Sequence, residues 1–181
     1  MPPRPTLETP RLILRPFALE DAPAVQRLAG AREVAATTLN VPHPYLDGMA
    51  EQWIATHAAK YAAGELVNFA IVVREGPELC GTIGLSIDKA HDSAELGYWL
   101  GVPHWGRGYC TEAARAVVAY GFDALRLHRI HAAHFANNLA SGRVLEKIGM
   151  TCEGRRRDHF RKWGHFHDDV QYGMLASDVR M

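Results

Sequence analysis

The chain has 181 residues, 48% of them hydrophobic and 22% charged, the composition of an ordinary globular domain of common size. At this length roughly 70% of the unfolded surface can be buried, so neither a disulfide nor a structural metal is needed to hold a core. Twenty Lys+Arg balance twenty Asp+Glu, which removes the global basic field that drives nucleic-acid binding, and nucleic acid is not an expected partner. Three scattered cysteines, Cys80, Cys110 and Cys152, form no C-x-x-C pair and point to a reducing compartment, the cytoplasm. The proline-rich start, Met1 to Pro10, has no apolar export core, and no run approaches about eighteen apolar residues, so a soluble protein without a membrane partner is expected.

No internal repeat or long linker interrupts the chain, and residues 1–181 read as a single domain with its body from about Arg11 to Leu175. Leu12 to Leu14 before Pro16 reads as a short strand, and Asp21 reads as the cap of a helix that stops at Gly30. From Asp47, a second candidate cap, Ala50, Trp53, Ile54, His57 and Tyr61 recur at helical steps until Gly64. The pattern then changes period: Val67 to Arg74 and Leu79 to Asp88 form a hairpin around Glu75-Gly76-Pro77, and Ala94 to Leu100 is a third extended run. After the break from Gly101 to Gly108, Ala114, Val117, Val118, Gly121, Phe122 and Leu125 form a helical stripe. Ile130 to Phe135 reads as a strand, Ser141, Leu145 and Ile148 as one face of a helix ending at Gly149, and Glu153 to Phe160 and Phe166 to Leu175 as final strands. Helices alternate with strands only in the second half. The expected fold is therefore α+β, a mixed and partly antiparallel sheet with helices on both faces.

Between the third extended run and the long helix stands Trp105-Gly106-Arg107-Gly108-Tyr109-Cys110-Thr111-Glu112. Glycines there let backbone N–H groups approach an anion, and the helix start adds free donors and a positive dipole end, so a phosphate or pyrophosphate is the physical expectation. The dinucleotide fingerprint fails because Thr111 stands where its third glycine belongs, and a Walker loop fails for want of Gly-Lys-Ser/Thr. Two glycines alone are equally compatible with a plain strand-to-helix turn.

The wider pattern decides between these readings. GYWLGVPHWGRGYCTEA, followed by NLASGRVLEKIGM and HDDVQYGML after an opening TPRLILRPF, resembles the GNAT superfamily of N-acetyltransferases. The resemblance extends to the branch that acetylates N-terminal alanine and serine of ribosomal proteins, and it spans nearly the whole chain. It implies a GNAT-like, mostly antiparallel sheet in which the strand Ala94 to Leu100 splays from Ile130 to Phe135, forming the acetyl-coenzyme A site. The family's Q/R-x-x-G-x-G/A loop maps onto Trp105 to Cys110, with Trp105 and Cys110 departing from the pattern at its two ends. The resemblance assigns the co-substrate to the backbone edge at Leu100, Gly101 and Val102, to the loop and helix start at Arg107, Gly108, Tyr109, Cys110 and Thr111, and to Asn138 in N-x-x-S.

Acetyl transfer from a thioester to an amine needs a neutral amine, donors for a tetrahedral oxyanion and a proton for the departing thiolate. The resemblance gives Ser141 the last task; its plainer role is a residue in the first turn of a helix capped by Asn138. Glu95 stands on the splaying strand, on the face opposite Leu96, Tyr98 and Leu100, and is the first candidate base, with Asp168 and His134 behind it. No metal is expected, because strand alternation sends His131 away from His128 and His134. Cys110 inside the loop is expected to pack rather than attack, and Arg155, Arg156, Arg157, Arg161 and Lys162 read as a solvated charge run.

An enzyme passing acetyl groups to an amine is the leading reading, with a protein N-terminus as acceptor ahead of a small amine. A coenzyme A-binding regulatory domain without chemistry is the alternative class. Acceptor contacts are expected in the Ala36 to Asp47 loop and the last two strands, and oligomeric state is left open, a homodimer among the options.

Overall fold

The computed structural model describes residues 3–179, and the outermost residues of the 1–181 span lie outside it. Eight strands, β1 (Leu7–Glu8), β2 (Leu12–Arg15), β3 (Leu66–Val73), β4 (Leu79–Asp88), β5 (Ser93–Leu100), β6 (Arg129–Phe135), β7 (Thr151–Lys162) and β8 (His165–Leu175), form one sheet in the order β1-β2-β3-β4-β5-β6-β8-β7. Every neighbouring pair is antiparallel except β5–β6. Helices α1 (Ala22–Ala29), α2 (Arg32–Ala36), α3 (Met49–Ala62), α4 (Tyr109–Asp123) and α5 (Leu139–Lys147) complete the fold.

The alternation along β3 explains why helices cover both faces. Val67, Phe69 and Ile71 point into one buried cluster with Ala113, Val117 and Phe122 of α4 and Leu145 of α5. Ala70 and Val72 point the other way, into a second cluster with Val25 and Leu28 of α1 and Ala50 and Ile54 of α3. A strand apolar on both faces needs a helix layer on each, and the mixed α+β architecture follows.

Two predicted helix caps serve other partners. Asp21 accepts no bond from the first turn of α1; its carboxylate takes both Arg15 Nη1 and Nη2, each at 2.7 Å, and the Ala18 N–H at 2.9 Å. Asp47 accepts from Gln26 Nε2 at 2.7 Å, and α3 instead starts at Gly48, whose φ of 83° admits glycine without strain. The stripe expected to reach Leu125 stops at Asp123, and the chain turns away through Arg126 at φ 57°.

On α3, His57 is 2% exposed and packs edge-on against the rings of Trp53 and Phe17. Its Nε2 meets Asn68 Nδ2 at 3.2 Å, while Nδ1 has no partner. Burial above all, with Arg4 and Lys60 nearby, lowers its pKa from 6.5 to about 4. Protonation therefore favours the unfolded chain, so the stability is complete above the unfolded pKa and is lost as pH falls toward the folded one. Between about pH 7.5 and about pH 5, His57 should remove about 2 kcal/mol of folding free energy. Urea unfolding at both values should show a smaller fall for His57→Phe; an equal fall would contradict the assignment.

Candidate active site

The parallel pairing of β5 with β6 covers only Ser93 with Arg129, Ala94 with Ile130 and Glu95 with His131. Beyond Glu95 the strands part, while β5 stays paired to β4 up to Leu100. Gly101 N–H donates to Cys80 O of β4 at 2.9 Å. Alternation along an antiparallel ladder then turns the main-chain groups of Tyr98 and Leu100 away from β4 and into the gap. The Leu100 carbonyl accepts the Trp105 indole N–H at 2.7 Å. Trp105, read in the sequence as a departure from the loop pattern, thus ties the loop to the open strand end.

Gly106 and Gly108 have φ of 74° and 78°, and a Cβ at Gly106 would meet nothing within 4 Å. The first bond of α4 runs from Glu112 N–H to Gly108 O, and no side chain caps the helix. The N–H groups of Tyr109, Cys110 and Thr111 therefore lack intrahelical acceptors and present a cradle for an anion. The loop is fixed from behind by the N-terminal segment. Glu112 accepts from Thr9 Oγ1 at 2.7 Å, Arg11 N–H at 2.8 Å and Arg11 Nε at 2.6 Å, and Arg11 Nη1 holds Arg107 O at 3.0 Å. Burial alone would raise the Glu112 carboxyl, but these donors outweigh it and hold its pKa below the ordinary value.

Asn138 caps α5, its Oδ1 accepting Ser141 N–H at 3.2 Å, and its Nδ2 donates to Thr37 O at 3.3 Å. Ser141 Oγ lies 2.7 Å from the Tyr98 hydroxyl, where either oxygen can donate. Burial foremost raises the Tyr98 pKa, which keeps the phenol protonated. Two hydroxyls thus stand coupled in the gap between β5 and α5. Nothing local in the sequence pairs Tyr98 with a residue forty-three positions on, and this partner of Ser141 escapes sequence reasoning.

A cleft of about 1420 Å³ runs through the splay. It is lined by Leu100, Gly108, Tyr109, Cys110, Thr111, Asn138, Ser141 and Glu95 among the residues named from the sequence, whereas Gly101, Val102 and Arg107 lie outside the lining. Gly101 packs on Leu28, which a Cβ there would approach to 2.5 Å, and Val102 and Arg107 are exposed. Since Glu95 and Trp99 project from one face of β5 and Tyr98 from the other, the cleft passes through the sheet rather than along it. Glu95 is exposed at the base of the splay, in register with His131.

His134 lines the cleft but is turned inward, its Nδ1 2.8 Å from Phe135 O. Asp168 is outside the lining and accepts Arg155 Nε at 2.6 Å and Asp158 N–H at 2.9 Å. The next residue, Asp169, is 1% exposed and binds Arg156 and Gln171. The charge run read as solvated is therefore partly engaged, and Lys162 within it is buried.

Residues 11–151 match the model of the acetyltransferase (GNAT) domain. The chain belongs to the GNAT acetyltransferase family. The uncharacterized N-acetyltransferase p20 of Bacillus licheniformis is 34% identical over 175 residues, 96% of this chain and 97% of its own. A solved GNAT-family acetyltransferase from Bacillus anthracis, 26% identical, superposes with a TM-score of 0.85 over 95% of this chain and 99% of its own. RimL, a ribosomal L7/L12 α-N-protein acetyltransferase solved with coenzyme A, shares the fold at 19% identity with a TM-score of 0.87, over 94% of this chain and 98% of its own. The family match and the p20 relative together make the chain an N-acetyltransferase enzyme, which closes the reading as a regulatory domain without chemistry.

Burial pushes the thiol of Cys110, at the start of α4, well up and that of Cys80, on β4, up to about 12, so neither is poised as a thiolate. Iodoacetamide at mildly alkaline pH should label exposed Cys152 first, followed by mass spectrometry of the three cysteine peptides. Labelling of Cys110 as fast as Cys152 would contradict a packed, unreactive thiol.

Proposed function

We propose that the chain transfers the acetyl group of acetyl-coenzyme A to the free amine of a protein or peptide N-terminus, by direct attack and without a covalent enzyme intermediate. One observation carries the reading: the open main-chain edge at Tyr98 and Leu100, the uncapped start of α4 and the Tyr98–Ser141 hydroxyl pair all border one cleft. The start of α4 suits the pyrophosphate of the co-substrate, and the edge of β5 suits the amides of its pantetheine arm, as in strand addition. Glu95, on the other face, takes the proton of the incoming amine. The amine nitrogen bonds to the acetyl carbon, the carbon–sulfur bond breaks, and the hydroxyl pair delivers a proton to the thiolate through Ser141. A protein N-terminus is favoured because RimL, which shares the fold, acts on the α-amine of a ribosomal protein. Three free cysteines fit a cytoplasmic setting, and we read residues 1–181 as one catalytic domain.

Binding comes first in the test. Acetyl-coenzyme A at about 100 times its Kd should stabilise the protein by about 2.7 kcal/mol and raise Tm by about 5 to 10 °C. Gly108→Val should abolish most of that shift, since its φ of 78° strains any side chain. No shift with the unaltered protein would overturn the co-substrate assignment.

Turnover separates chemistry from binding. Thiol release with short peptides bearing free Ala, Ser or Thr N-termini should exceed that with small amines; the reverse ranking would replace the protein acceptor by a small one. Ser141→Ala should lower kcat by about 10² to 10⁴ with acetyl-coenzyme A affinity intact, whereas loss of helix-start packing alone would cost only about 1 kcal/mol of stability. Glu95→Gln should depress the rate most at low pH, where the amine is protonated. A wild-type pH profile in that variant would move the base elsewhere.

A further inference from the structure

The tip joining β7 to β8 is a two-residue turn, with Lys162 in register with His165 and both central residues, Trp163 and Gly164, at positive φ, 49° and 83°. That is the turn geometry matching strand twist, but tryptophan is a poor occupant of its first position, where a side chain is strained. Such strain persists where surrounding contacts over-determine it. Here Arg32 Cζ lies 5.4 Å and Lys162 Nζ 5.2 Å from the Trp163 ring centroid, and the His43 ring is 5.9 Å away. The Lys162 contact lies within the tip, and the other two, from Arg32 and His43, bind the tip to α2 and the segment that follows it.

Lys162 points the same way. It is buried, and its Nζ donates to the carbonyls of Thr38, Leu39 and Val41, the last two at 3.2 Å. A lysine ammonium has three donors, and all are spent on one loop. The neighbouring carbonyl, Thr37 O, is taken by Asn138 Nδ2, from the residue that caps the helix carrying Ser141. The segment 37–42 lines the cleft, as do Arg156, His159 and Phe160 of β7. It is therefore pinned at one end by the helix bearing Ser141 and at the other by the hairpin tip.

We propose that Lys162 and Trp163 form a latch that holds residues 37–42 across the acceptor end of the cleft. Lys162 is then a positioning residue that sets acceptor specificity without touching the reacting atoms. The inference rests on the acetyl-transfer reading above and extends it to how the amine is admitted. The pinned segment supplies none of the N–H donors of the α4 cradle, so releasing it weakens acceptor binding and leaves co-substrate binding alone.

Two variants separate a latch from mere support of the fold. Lys162→Met removes the donors, and Trp163→Asn removes the ring while installing Asn-Gly, the pair this turn prefers. The Asn variant should therefore be no less stable in its hairpin, and a purely structural role for Trp163 predicts no kinetic change. The latch predicts that in both variants the acceptor KM rises about tenfold while kcat stays within about threefold, the pattern of lost uniform binding. It also predicts unchanged acetyl-coenzyme A affinity and faster hydrogen exchange in a peptide covering residues 37–49, a readout independent of turnover. A wild-type acceptor KM in Trp163→Asn, or unchanged exchange over 37–49 in both variants, would overturn the proposal. A wild-type protein inert toward every amine defeats the transfer reading instead, and exchange then decides alone whether the segment is latched.

Discussion

Peptide groups at a strand edge must be paired with another strand, with water or with a ligand, and the parting of β5 from β6 after Glu95 and His131 leaves such groups open in the middle of a sheet. The flanking pairings hold the two strands apart: β4 keeps β5 through Leu100, and β8 keeps β6 through Phe135. The wedge between them is filled by the start of α5, with Ser141 against Tyr98. Sheet interruption, helix start and hydroxyl pair are one arrangement. Closing the gap would bury the Tyr98–Ser141 pair against a neighbouring strand and erase the cleft.

The walls of that gap come from distant parts of the chain. At one end the N-terminal strap, Thr9 and Arg11 on Glu112, fixes the first turn of α4. The Arg11 side chain is half exposed, so its ion pair with Glu112 contributes about 1 kcal/mol or less, and the clamp acts on the cradle by fixing its geometry. At the far end the β7–β8 tip reaches back to residues 38–41. In the proposed mechanism the two faces of β5 serve separate ends of the transfer: Glu95 and Trp99 on the side of α1 and α3, Tyr98 on the side of α4 and α5. An amine and a thioester can meet through the sheet without sharing an entrance.

Much of this was legible in the sequence, because period-two and period-3.6 patterns report burial directly. The alternating runs at Val67–Arg74 and Ala94–Leu100 and the α4 stripe correspond to observed elements, and the glycine loop lies where the anion argument puts it. Asp21 and Asp47 make no side-chain cap because Arg15 with the Ala18 N–H takes the first carboxylate and Gln26 the second. β1 has two residues and α2 five, too few to show a period. Tyr98 carries no local sign of its hydroxyl partner, and Lys162 in a run of arginines looks solvated until the fold brings three carbonyls to it. What the sequence hides is consistently long-range polar pairing, which has no periodicity to read.

The central claim is that the open edge of β5 and the uncapped start of α4 form one ligand surface. Residue-resolved amide exchange with and without acetyl-coenzyme A tests it most directly. With ligand at about 100 times its Kd, the amides of Tyr98, Leu100, Tyr109, Cys110 and Thr111 should slow by up to about 100-fold. Gly97 and Trp99, whose main-chain groups already face β4, should change far less. Protection spread equally over Gly97 to Leu100, or absent from both Leu100 and the start of α4, would contradict the account.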